Sequence, residues 1–152
     1  MNDDFELSAA AICQTFAQGK LPRWGELPDL ELYMDQVLGL MGRYLGAYPG
    51  NDGKGLTASM VNNYVKLGIM PAPIKKKYTR EHLAHLIIIC VLKTSLPIAE
   101  IRQLIAGELE HMSLEGLYDR FCGMFELTGR AVAESVGRQI GENGSESCLD
   151  AI

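Results

Sequence analysis

The run Leu86-Ile87-Ile88-Ile89-Cys90-Val91-Leu92 is the most apolar stretch of the chain and constrains its fold more than any other feature. Seven residues fall well short of the roughly 18 unbroken apolar residues that a membrane span requires. The run therefore belongs in the interior of a globular domain, on a helix capped by Thr79 and ending near Thr94. Cys90, within it, reads as a buried small hydrophobe. At 152 residues, 47% apolar and 22% charged, the chain has room for one real core. The acidic start Met1-Asn2-Asp3-Asp4 is unlike a secretory signal. The expected location is cytoplasmic, with no membrane partner.

Glycine and proline divide the remainder into helical segments. Ser8–Ala17 is predicted as a short helix, followed by a connector to Pro28 that carries Trp24. Leu30, Met34, Val37, Leu38 and Met41 recur at helical spacing and predict a helix from about Asp29 to Leu45. Ala47–Gly55 is a loop by composition. Thr57 suits an N-cap, the helix Ala58–Leu67 follows, and Gly68 suits its left-handed end. Pro71 and Pro73 forbid further helix, leaving Met70–Tyr78 as a small β-hairpin. Pro97 opens a helix to about Glu110 in which Ile98, Ile101, Leu104 and Ile105 point one way. Ser113 caps a last helix to about Ile140. The expected class is all-α with one hairpin. Its parts are an N-terminal helix and connector (1–26), a central domain (27–110), a C-terminal helix for dimerisation or packing (111–140) and a disordered tail (141–152).

Net charge is −5, which alone argues against nucleic acid. Its distribution argues the other way. Lys54, Lys66, Lys75, Lys76, Lys77 and Arg80 lie within a stretch, 53–80, that has no Asp or Glu. The other eight basic residues face 19 acidic ones, leaving −11 elsewhere. Such asymmetry bears on partners rather than fold. On the helix after Thr57, Ser59, Asn62, Asn63 and Lys66 share a polar sector about 100° wide, opposite Met60, Val61 and Tyr64. Asn can bond both N6 and N7 of adenine, and Ser or Lys can serve phosphates or bases. The triplet Lys75-Lys76-Lys77, in an extended segment just beyond, is placed to grip a phosphate backbone.

The order Thr57-Ala58-Ser59-Met60-Val61-Asn62-Asn63-Tyr64-Val65-Lys66-Leu67-Gly68-Ile69-Met70-Pro71 resembles the MerR-type winged helix-turn-helix. Lys76-Lys77-Tyr78 is similar to the basic-x-Tyr of that family's wing. MerR-type recognition helices usually carry Arg-Tyr-Tyr where this chain has Asn62-Asn63-Tyr64. The segments Leu27–Val37, Leu56–Tyr64 and Ile74–His82 resemble a bacterial family known as domain of unknown function 1836, over roughly Leu27 to Ile105. The resemblance implies a MerR-like fold and a regulator of transcription. It implies DNA contacts at Lys66, Lys76 and Tyr78. Local chemistry adds Thr57, Ser59, Asn62, Asn63, Lys75, Lys77 and Arg80.

Other clusters have structural explanations. Cys13, Cys90, Cys122 and Cys148 form no close pair and are expected as reduced thiols. His82 and His85 lack further metal ligands nearby and are expected in capping and surface roles. Asp29, Glu31 and Asp35 fit the start of a helix, where negative charge complements the dipole. With no phosphate loop, nucleophile elbow or Cys/His constellation, neither catalysis nor a cofactor is expected. The leading expectation is a regulator that binds double-stranded DNA as a homodimer through its C-terminal helix, with its effector unspecified. The alternative is a protein-interaction module on the same scaffold, its basic face meeting an acidic partner.

Overall fold

The computed structural model describes residues 20–46 and 55–149. The predicted helix Ser8–Ala17, Cys13 and Lys54 lie outside these residues. A 3-10 turn, Trp24–Glu26, is followed by five helices: α1 (Met34–Leu45), α2 (Ala58–Lys66), α3 (Arg80–Leu92), α4 (Ile98–Leu109) and α5 (Leu114–Leu149). The all-α class stands. No helix among the described residues is long and apolar enough to cross a membrane. The chain divides into two compact units; Leu21–Cys122 is one, and Gly123 onward belongs to the other.

The β-hairpin expected within Met70–Tyr78 does not form. Among the described residues there are two isolated bridges, Ile74 with Lys77 and Leu32 with Tyr78, and no strand. The next hydrogen-bonded pair of a ladder would be Ala72 with Thr79, but the Ala72 carbonyl accepts from His82 Nε2, and Thr79 N donates to His82 Nδ1. On the outgoing side, Thr79 already takes up the N-cap position of α3. Ile74 with Lys77 is thus the single pair that closes the turn, while Tyr78 pairs with Leu32 instead.

Within Leu21–Cys122 the first four residues of the apolar run, Leu86–Ile89, are buried at the centre, and the last three are half-buried. Every residue of α3 from His82 to Ile89 is buried. A helix apolar all round must be covered on every side, and here α1 packs against it. The other helices contribute narrower faces: Val37, Met41 and Leu45 from α1, Val61 and Tyr64 from α2, Ile101 and Ile105 from α4. Each fully buried side chain of this size contributes roughly 1.5–3 kcal/mol. The seam of α4 is narrower than its spacing predicts, since Leu104 is exposed. Cys90 is only half-buried, whereas Cys122 is fully buried with its Sγ 3.7 Å from the Pro22 carbonyl.

Helix α1 begins five residues later than its apolar pattern suggests. Leu32 N donates to Tyr78 O at 2.8 Å and Tyr78 N to Leu32 O at 2.7 Å, which keeps the segment before Tyr33 extended. Tyr33 N then caps onto Gln36 Oε1 at 3.0 Å. Leu30 is exposed as a result. At the other end, Gly116 N donates to Ser113 Oγ at 3.1 Å, confirming Ser113 as the cap of α5. That helix continues to Leu149, nine residues past the expected boundary. No proline follows Pro97 to stop it, and isolated glycines cost a helix only about 1 kcal/mol each.

Candidate nucleic-acid interface

Helix α2 is short and defined at both ends. Thr57 Oγ1 accepts from Met60 N at 3.2 Å. At the other end Gly68 adopts φ +72°, Gly68 N donates to Val65 O and Ile69 N to Tyr64 O, each at 3.1 Å. This is the Schellman pairing, and Ile69 and Tyr64, at the two positions whose apolar contact usually accompanies it, are both buried. Val61 and Tyr64 anchor the helix inward, while Ser59, Asn62, Asn63 and Lys66 are exposed. Met60 was expected to anchor; it is half-buried and joins those four residues in lining one open depression. Burial pushes the Tyr64 phenol up to about 12, so it stays protonated, with Lys93 Nζ donating to its oxygen at 3.4 Å.

The lysine triplet is a turn rather than an extended segment. Ile74 N donates to Lys77 O at 3.1 Å and Lys77 N to Ile74 O at 3.0 Å, so that Lys75 and Lys76 form the tip. Their φ values are +51° and +64°. Left-handed φ at both central residues marks a type I′ turn, which favours Asn-Gly because other residues are strained there by roughly 1–2 kcal/mol each. Two lysines in these positions display two ammonium groups at the expense of stability. Neither makes an ion pair with any described residue, and the same holds for Lys66.

Lys77 and Arg80 differ from these three. Lys77 Nζ lies 3.2 Å from Glu31 Oε2 and 6.0 Å from the centre of the Tyr33 ring. Its hydrogen bond to Glu31 and the charge of that carboxylate raise the Lys77 pKa. Arg80 sits 3.9 Å from Asp29 Oδ2 and stacks over the Trp24 ring at 5.6 Å, with its Nε buried and without a hydrogen-bond partner. Asp29 and Glu31, expected to complement the dipole of α1, instead lie ahead of that helix and oppose two cations of the basic stretch. Tyr78 is buried against Leu32 and His82, so it supports the turn from inside rather than sharing the exposed face.

Both histidines prove to be interior, against the expectation of surface roles. His82 Nδ1 accepts from Thr79 N at 2.9 Å, which places its proton on Nε2, donated to the Ala72 carbonyl at 3.1 Å. One imidazole thus caps α3 and ties down the segment that leads into the turn. His85 donates from Nδ1 to the Glu81 carbonyl at 2.8 Å. Burial lowers its pKa, and the hydrogen bond to the Glu81 carbonyl opposes that shift.

The structure also brings in cations that local sequence could not nominate. Lys93, at the end of α3, reaches Tyr64, and the Arg102 guanidinium from α4 approaches Gly68. No pattern within α2 announces residues so far along the chain. Five exposed helix residues, including the Thr57 cap, and a strained cationic turn thus project from a tightly packed helical unit.

That unit nearly coincides with a known family. The model of the family described as Domain of unknown function (DUF1836) matches residues 22–121, and the chain belongs to this family. No curated protein and no solved structure matches it.

Proposed function

We propose that this protein is a DNA-binding transcriptional regulator of cytoplasmic address. The observation that carries the reading is the Lys75–Lys76 turn, where two unpaired cations occupy backbone positions that favour glycine or asparagine. Strain of that kind is retained when the displayed groups have a use. In this reading α2 enters the major groove, with Ser59, Asn62 and Asn63 facing base edges and Lys66 facing phosphate. Lys75 and Lys76 neutralise the backbone alongside. The run α1, α2, basic turn, α3 and α4 is similar to the helical order of MerR-type regulators, which supports the assignment. So few contacts give a single copy modest affinity, and pairing on a two-fold site is the natural remedy. Met124 and Leu127, exposed on α5, offer apolar surface for such a homodimer. Binding to genomic duplex DNA, titrated against salt, tests the proposal. A steep slope that becomes shallower in Lys75→Ala/Lys76→Ala is the expected outcome; salt-independent binding, or indifference to the double change, would sink it.

A second reading is favoured by a different observation. Tyr33 and Ile74 are exposed, and both neighbour Lys77, whose charge Glu31 already opposes. An apolar pair beside a neutralised cation suits a protein partner better than a phosphate. A stable complex in the absence of any selected DNA sequence would favour this interaction module.

A further inference from the structure

The C-terminal end of α2 gathers positive charge from three helices. Lys66 lies in the last turn of α2 itself and is exposed. Lys93 at the end of α3 places its Nζ 3.4 Å from the Tyr64 hydroxyl oxygen. Arg102 on α4 places Nη2 3.6 Å from the position that a Cβ on Gly68 would occupy. Tyr64 and Gly68 belong to the same capping turn, Arg102 approaching its backbone and Lys93 the tip of the buried Tyr64 side chain. None of the three cations makes an ion pair with a described residue, although the chain as a whole is acidic. A single cation suffices to complement the partial negative charge at a helix C-terminus, and that effect is confined to the last turn. Three cations, held by three separate elements and left without carboxylates, exceed that need.

We infer that Lys66, Lys93 and Arg102 form a phosphate-binding cluster that clamps the backbone of duplex DNA beside α2. The inference rests on the DNA-binding reading and adds to it two residues outside the basic stretch. Arg102 is the central member. Its guanidinium meets phosphate through paired N–H donors, and it lies beside the capping turn at Gly68. Lys93 is held beside α2 by Tyr64, whose hydroxyl accepts from it.

Duplex binding of the full chain, measured against salt, tests the cluster. Each phosphate contact contributes about 0.9 to the slope of log affinity on log salt. Lys93→Gln/Arg102→Gln is expected to lower that slope by roughly 2, and Arg102→Lys to retain most of it. Thermal melting of the same variants separates binding from capping. A lowered melting point with an unchanged slope would make the two side chains helix caps and overturn the cluster. An unchanged slope in Lys93→Gln/Arg102→Gln, while Lys75→Ala/Lys76→Ala still flattens it, would overturn the cluster alone. If the wild type shows no salt-dependent duplex binding, the DNA reading itself falls and the cluster with it.

Discussion

Lys77 Nζ stands 3.2 Å from Glu31 Oε2, so one member of the lysine triplet is tied to a carboxylate 46 residues earlier while its two neighbours are not. The pair is exposed and screened by solvent, so it adds little stability. Its consequence lies in charge: the triplet presents two free cations and one opposed.

This inequality is measurable. Glu31→Gln releases Lys77, and the salt slope of duplex binding is expected to steepen by about 1. Lys77→Ala in the wild-type background is expected to change the slope less than Lys75→Ala or Lys76→Ala. Equal effects at all three lysines would show that the Glu31 pair does not discriminate among them.

Strain at the turn predicts a trade between stability and binding. Lys75→Asn/Lys76→Gly supplies the residues that a type I′ turn favours. Stability is expected to rise by roughly 1–2 kcal/mol, which for a unit of this size raises Tm by several degrees. The same variant loses two cations, so its duplex affinity is expected to fall. Calorimetry and a binding titration on one preparation check both parts; a turn that gains no stability would show that the lysines cost nothing there.

Gly68 isolates the contribution of a helix cap. Its φ of +72° lies where a side chain is strained, yet a Cβ would meet only the Arg102 guanidinium at ordinary contact distance. Gly68→Ala is therefore expected to destabilise by about 1–2 kcal/mol through backbone strain alone. Gly68→Asn is expected to cost less, since Asn tolerates this region better. Urea unfolding with an unchanged m-value and a lowered midpoint is the expected signature.

His85 makes stability depend on pH. Burial holds its folded pKa below the usual histidine value of 6.5, so the unfolded chain binds the proton more tightly. Stability is then fully present above about pH 6.5 and declines as pH falls through the interval down to the lowered folded value. Tm measured from about pH 7.5 to 5.5 should fall in the wild type and fall less steeply in His85→Gln. Parallel pH profiles would exclude His85 as the source.

Periodicity and composition were informative wherever a segment's environment followed from its own residues. The apolar run predicted a buried helix because consecutive apolar residues face every side of it, and Leu86–Ile89 are buried accordingly while Cys90, Val91 and Leu92 are half-buried. Thr57, Gly68 and Ser113 marked helix ends because capping is a contact within a few residues of chain. The polar face of α2 was legible for the same reason, with Val61 and Tyr64 inside and Ser59, Asn62, Asn63 and Lys66 outside. Sequence overreached where the chain had two local options. The pattern of α1 extended back to Asp29, but the paired hydrogen bonds of Leu32 and Tyr78 held that stretch extended.

What the sequence by itself determined was the helical class, the inward and outward faces of α2, and an acid-free segment from 53 to 80. Only the tertiary structure decided which cations in that segment stay free. Glu31 and Asp29 meet Lys77 and Arg80 although α1 and α2 lie between them in the chain, and Lys93 and Arg102 approach α2 from segments that follow it. Charge balance at a surface is set by distance in space, because Coulomb interactions and hydrogen bonds act between atoms that the fold brings together. The left-handed backbone of Lys75 and Lys76 was hidden for a related reason. It is imposed by the pairing of Ile74 with Lys77 and by the anchoring of Ala72 and Tyr78 against α3, and lysine's own preference points the other way.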